Sequence, residues 1–200
     1  VRATRETIEI VRTVSRGERL VHDGEVYPLP LPDSDGSALR PLVEPAHVPV
    51  YVAAMGPANL RLTGEVADGW LGNAFVPEAA DVVLGPLREG AASAGRTLDD
   101  LDLVAPVAVE LTGSADETAA AVRRHAAGYA FTIGAMGTAG RNFYNDAFAR
   151  LGYGDAVERV QELWRTGDRE AAGAAVPDDL GRLTNLIGRD DEVAARLALH

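Results

Sequence analysis

The chain has 200 residues, enough for one domain with a sizeable core. Nineteen basic against thirty acidic side chains leave a net charge of -11, which argues against nucleic acid or anionic lipid as partners. The absence of Cys excludes disulfides and thiolate chemistry, and the absence of Lys excludes lysine Schiff bases and a phosphate-loop lysine.

Arg2 to Ser15 places Ile8, Val11 and Ser15 on one stripe with Ile10 and Val14 beside it, predicting an amphipathic helix that ends at Gly17. Leu20 to Tyr27 reads as a short hairpin turning at Asp23-Gly24, and the proline-rich stretch Pro28 to Pro45 as a surface loop. Val48 to Ala54 is almost continuously apolar, the signature of a strand buried on both faces. Met55-Gly56-Pro57 turns the chain, and Pro57 opens a helix whose Leu60, Thr63, Gly64 and Ala67 form a small-residue face. Asp68-Gly69 breaks that helix before a strand at Trp70-Leu71-Gly72-Asn73, so the two strands are expected as parallel neighbours in a βαβ unit.

A helix follows from Pro77 to about Ala94, then a strand from Leu101 to Leu111. Pro106 conflicts with that strand, which must carry a bulge or lie on an edge. Ser114 with Glu117 resembles a capping box for a helix through about Tyr129. From Phe131 the pattern is helical only. A glycine-rich loop, Gly134 to Gly140, precedes helices near Asn142 to Leu151, Asp155 to Thr166, Arg169 to Ala175, Pro177 to Ile187 and Asp190 to Leu199. Alternating strands and helices give the α/β class with a parallel sheet. Three strands cannot cover themselves. With helical patterns running into both Val1 and His200, the chain reads as part of a longer protein.

The strongest candidate site is Ala53-Ala54-Met55-Gly56-Pro57. A buried strand ends there, small residues admit a ligand to the backbone, and a helix begins with unpaired amides, an arrangement that favours an anion. A plain strand-to-helix turn accounts for the same residues. Gly72 and Asn73, ending the next strand, are either a ligand contact or a turn cap. Gly134 to Gly140 is either a connection or a mobile loop over a pocket. His22, His47, His125 and His200 have no acidic or histidine partner at metal-ligand spacing, so no metal is expected. Trp70 and Trp164 read as core or interface aromatics. No apolar run reaches the length of a membrane span and no leader pattern opens the chain. The absence of Cys fits a reducing cytoplasm, the expected location.

Several stretches in order carry a family resemblance. Val48 to Pro57, then Glu65-Val66-Ala67-Asp68-Gly69-Trp70, resembles the middle of the bacterial-luciferase-like superfamily, most closely its branch using the deazaflavin coenzyme F420, which includes methylenetetrahydromethanopterin reductase. Gly134-Ala135-Met136-Gly137, Asn142-Phe143-Tyr144-Asn145, Val176 to Leu180 and Leu186-Ile187-Gly188 are similar to the same branch, as is Arg16-Gly17-Glu18 through Asp23-Gly24.

The resemblance implies a (β/α)8 TIM barrel with its cofactor at the carboxyl ends of the strands. Residues 1–200 would form one partial domain, with the fifth, sixth and seventh strands and a helical region, lacking the first four strands and the last. It implies cofactor contacts at Ala53, Ala54, Met55, Gly56 and Pro57, with Gly72 and Asn73 alongside, and a substrate-pocket mouth at Gly134, Met136 and Gly137. Ala135 departs from the family's double glycine. No catalytic acid or base is assigned, because the family draws these mainly from the first half of the barrel. The implied enzyme transfers a hydride between coenzyme F420 and a small organic substrate, and as a full-length protein forms a homodimer. Alternatives are an FMN-dependent monooxygenase on the same fold and a non-catalytic binding module. The absence of Lys argues against the members that act on sugar phosphates.

Overall fold

A computed structural model describes residues 1–42, 44–136 and 142–200. It divides into two units, Val1–Leu71 with Pro86–Val104, and Gly72–Gly85 with Ala105–His200.

In the first unit, helix α1 (Arg2–Ser15) buries Glu6 and Ile8, and the chain leaves it through Gly17 at φ 68°, as the sequence predicts. Strand β1 (Tyr51–Ala53), helix α2 (Pro57–Val66) and strand β2 (Gly69–Leu71) form the expected parallel βαβ unit, with shorter strands than the apolar runs imply. Helix α3 (Asp81–Ser93) crosses the division between the units and leads to β3 (Asp102–Val104), which pairs parallel to β2. In register, Val52 lies beside Trp70, and Ala53 beside Leu71.

The small-residue face of α2 has a specific use. A Cβ on Gly64 would lie 2.0 Å from the Leu87 carbonyl oxygen, and one on Gly90 would lie 1.9 Å from that of Arg61. Helices α2 and α3 therefore meet backbone to backbone. The sheet buries Val52 and Trp70 on one face, while Tyr51, Ala53, Leu71 and Val104 on the other are exposed. This corrects the expectation that β1 is buried on both sides.

In the second unit, β4 (Val109–Leu111) runs to helix α4 (Ala115–Ala135), which packs against α6 (Gly154–Thr166), α7 (Arg169–Ala174) and α8 (Asp178–Leu183). Helix α5 (Phe143–Phe148) contributes Phe148, fully buried among Ile133, Val160, Val176 and Leu180. Strand β5 (Leu186–Gly188) pairs parallel to β4, and α9 (Asp190–Leu197) follows it.

Several local readings are corrected. Leu20 to Tyr27 is not a tight hairpin. His22 and Leu29 form one antiparallel bridge, and the amides of Glu25, Val26 and Tyr27 turn instead to the buried carboxylate of Glu6. The run from Leu101 to Leu111 is two strands in two sheets, separated around Pro106. The Pro77 helix starts as a 3-10 turn, Pro77–Ala79. The region after Phe131 is not helical only, because Leu186–Gly188 is a strand rather than the end of the Pro177 helix. Helix α4 runs past Tyr129 to Ala135, so Gly134 is helical rather than part of a loop.

Candidate functional site

Strands β1 and β2 are parallel and end level with each other, since Ala53 pairs with Leu71. Ala54 is buried, and Met55 and Gly56 are partly exposed. Gly56 caps α2 without a side-chain bond, and Pro57 stands at the first helical position, as expected. The first bond of the helical ladder is from the Leu60 amide to the Gly56 carbonyl, 2.9 Å, so the Ala58 and Asn59 amides precede the ladder. Beside them, the side-chain oxygen of Asn59 is buried with no hydrogen-bond partner.

Gly56 itself is informative. Its φ of −85° and ψ of 144° suit any residue, and a Cβ built there meets nothing within 4 Å. Among the described residues neither backbone strain nor packing requires a glycine there.

The three residues Asp68-Gly69-Trp70 each lock β1 at a different point. Asp68 Oδ2 accepts from the Val50 amide at 2.8 Å and from Arg12 at 3.1 Å, holding the strand's entry. Burial pushes the Asp68 carboxyl up, but the Val50 amide and Arg12 together outweigh it and hold the group below the usual aspartate value. Gly69 leaves room for the Tyr51 ring, which would lie 2.4 Å from a Cβ there, to reach Asp102 Oδ2 at 2.5 Å. That bond raises the Tyr51 phenol, and it lies at the amino ends of the strands. The Trp70 indole N–H donates to the Ala54 carbonyl at 2.8 Å, holding the strand's exit. The sequence marks Trp70 as a core or interface aromatic and carries no signal for this bond.

Gly72, buried, and Asn73, exposed, continue from β2 and belong to the second unit. After them Ala74 is buried at φ 50°, and Glu78 pairs with Arg196 of α9. Gly134 faces Trp164, whose ring carbons would lie 2.3 and 2.4 Å from a Cβ, so contact between α4 and α6 accounts for that glycine. Met136 is exposed just past the α4 end, and Gly137 lies outside the described residues. In the Asn142 to Asn145 motif the two amides secure that end. Asn145 Nδ2 donates to the Ile133 carbonyl at 3.2 Å, and Asn142 Nδ2 donates to those of Ile133 and Met136.

Folding gives the histidines acidic neighbours that sequence spacing does not show. His125 Nε2 lies 2.9 Å from Glu110 Oε2, and His22 Nε2 lies 3.7 Å from Glu6 and 3.9 Å from Glu9. Arg124, and then His125, hold the Glu110 carboxyl below its usual range. Among the described residues no group of three or more His, Cys, Asp or Glu could hold a metal ion, and no helix is long and apolar enough to cross a membrane.

The profile of the luciferase-like monooxygenase family matches residues 1–199. A putative coenzyme F420-dependent oxidoreductase of Mycobacterium tuberculosis is 34% identical over 205 residues, covering 98% of this chain and 58% of that protein. The 5,10-methylenetetrahydromethanopterin reductase of Archaeoglobus fulgidus is 28% identical, covering 93% of this chain and 64% of that one. The structure of the coenzyme F420-dependent tetrahydromethanopterin reductase of Methanopyrus kandleri superposes with a TM-score of 0.75 at 23% identity, covering 99% of this chain and 53% of that one. The chain thus spans between 53% and 64% of the length of these proteins.

Proposed function

Because the chain belongs to the luciferase-like monooxygenase family, we propose that it is part of an oxidoreductase that binds coenzyme F420 at the carboxyl ends of β1 and β2. The observation that carries this reading is Gly56, a glycine that the chain's own geometry does not require, at the start of a helix with unladdered amides. The residues fit the coenzyme. Its tail is anionic, and the amides of Ala58 and Asn59, which precede the helical ladder, are donors for it. When bound, the coenzyme supplies a two-electron hydride donor or acceptor.

The chain's own residues bind and orient. Ala53, Ala54, Met55, Gly56 and Pro57 bring backbone close to the ligand. The coenzyme named for the M. tuberculosis relative favours F420 over FMN, and nothing in the geometry favours FMN.

The exposed face of Tyr51, Ala53, Leu71 and Val104 supports a further part of the proposal. Strands β1, β2 and β3 would be the fifth to seventh of a barrel whose first four strands cover that face. The complete enzyme would act on a small organic molecule and associate as a homodimer.

The test is a titration of the full-length protein with F420 and, separately, with FMN, followed by visible absorbance and fluorescence. The reading expects saturable F420 binding and reversible bleaching of its visible band on turnover. Binding of FMN alone would overturn it.

A further inference from the structure

The residues 53–57 singled out as coenzyme contacts run from the end of β1 through a short connection into α2, and a connection holds a ligand well only when something rigid fixes it. Trp70 stands on the strand beside that loop. It pairs in register with Val52 and is 2% exposed, on the face that carries Val52 and Ala54. From there the indole N–H reaches the carbonyl of Ala54, one residue beyond the end of β1, at 2.8 Å.

Ala54 is itself 3% exposed, so its carbonyl depends on this donor in a dry setting, where a hydrogen bond is well defined and costly to lose. The peptide joining Ala54 to Met55 is planar, so fixing the carbonyl fixes the whole plane. The chain then has one residue, Met55, before Gly56 caps α2.

We propose that Trp70 is the positioning residue for the coenzyme loop. Its indole N–H sets the Ala54–Met55 peptide and with it the entry into Gly56 and the first turn of α2. The proposal rests on the F420 reading above, and it concerns a side chain that touches the loop rather than the coenzyme. It also explains why tryptophan serves here better than another large apolar residue. The ring fills the space under β1, and the nitrogen reaches past it.

The experiment uses the full-length protein, its Trp70→Phe variant, and a variant with the isosteric benzothienylalanine at position 70, which keeps the ring and removes only the donor. A Leu180→Ala variant, which truncates a buried residue of α8 in the second unit, serves as a control for general loss of stability. Two quantities are read. These are amide hydrogen exchange of residues 55–59 without coenzyme, and the F420 dissociation constant by fluorescence. The proposal expects exchange in that segment to speed up at least threefold in both position-70 variants, and affinity to fall between about threefold and tenfold, the range for one hydrogen bond. It expects Leu180→Ala to leave affinity unchanged. Should Trp70→Phe fold poorly, the isostere alone decides. Wild-type affinity and exchange in the isostere would overturn the proposal while leaving the F420 reading intact. A wild-type protein that binds no F420 would overturn both.

Discussion

Arg196 in α9 and Glu78 in the 3-10 turn after Asn73 form a salt bridge, Nη2 to Oε2 at 3.0 Å, with Arg196 also donating to the Leu183 carbonyl. The pair ties the second unit's last helix to the turn that follows Gly72-Asn73. Arg196 is largely buried, and its Nε has no partner of its own. Arg196 holds the Glu78 carboxyl below its usual range. Glu78→Gln removes the charge and keeps an acceptor. Because Glu78 is about half exposed, solvent screens the pair, and the expected loss is about 1 kcal/mol. Urea unfolding of the variant beside wild type measures it, and no change would show the bridge to be idle.

The acid limit of the first unit is expected to depend on Asp68. Its folded value is lowered, so near pH 4 the unfolded chain binds more protons than the folded one. The stabilisation is therefore complete above the ordinary aspartate value and disappears as pH falls through the depressed one. Asp68→Asn is predicted to be less stable at neutral pH and to lose less stability on acidification. Thermal unfolding between pH 7 and 3 checks this, and parallel curves for the two proteins would contradict it.

The buried Glu6 carboxylate accepts from the amides of Glu25, Val26 and Tyr27. Glu6→Ala leaves those donors without an acceptor, and the expected cost is about 3 kcal/mol. Glu6→Gln retains one acceptor oxygen and is predicted to cost less than half of that. Denaturant midpoints rank the three proteins.

Two kinds of glycine substitution are predicted to move in opposite directions. Gly64→Ala and Gly90→Ala push a methyl into a carbonyl on the neighbouring helix and should each cost about 2 kcal/mol or more. Gly128→Ala places its methyl in open space within α4 and should stabilise by about 0.5–1 kcal/mol. Melting temperatures distinguish these outcomes.

What could be read from the sequence was what local chemistry determines. Gly17 ended α1, Pro57 opened α2, and the βαβ unit between Tyr51 and Leu71 followed from the turn at Met55-Gly56-Pro57 and the break at Asp68-Gly69. What escaped depends on partners distant in the chain. Strand β5 exists because β4 pairs with it across more than seventy intervening residues, while its three residues alone extend a helical pattern. The Asp23-Gly24 turn was displaced by a carboxylate in α1, and the Gly134 loop became helix where Trp164 lies against it. In the candidate site the loop and its small residues were legible. The indole that holds it was not, because a tryptophan on a buried strand looks the same with or without a carbonyl to bind.

The central claim is that Gly56 is glycine for the sake of a ligand. The most direct test is the F420 dissociation constant and the melting temperature of full-length Gly56→Thr beside wild type. Threonine caps a helix about as well as glycine, and a Cβ at this position meets nothing among the described residues, so the account predicts a melting temperature close to that of wild type, together with at least tenfold weaker F420 binding. Undiminished F420 binding by the variant would contradict it.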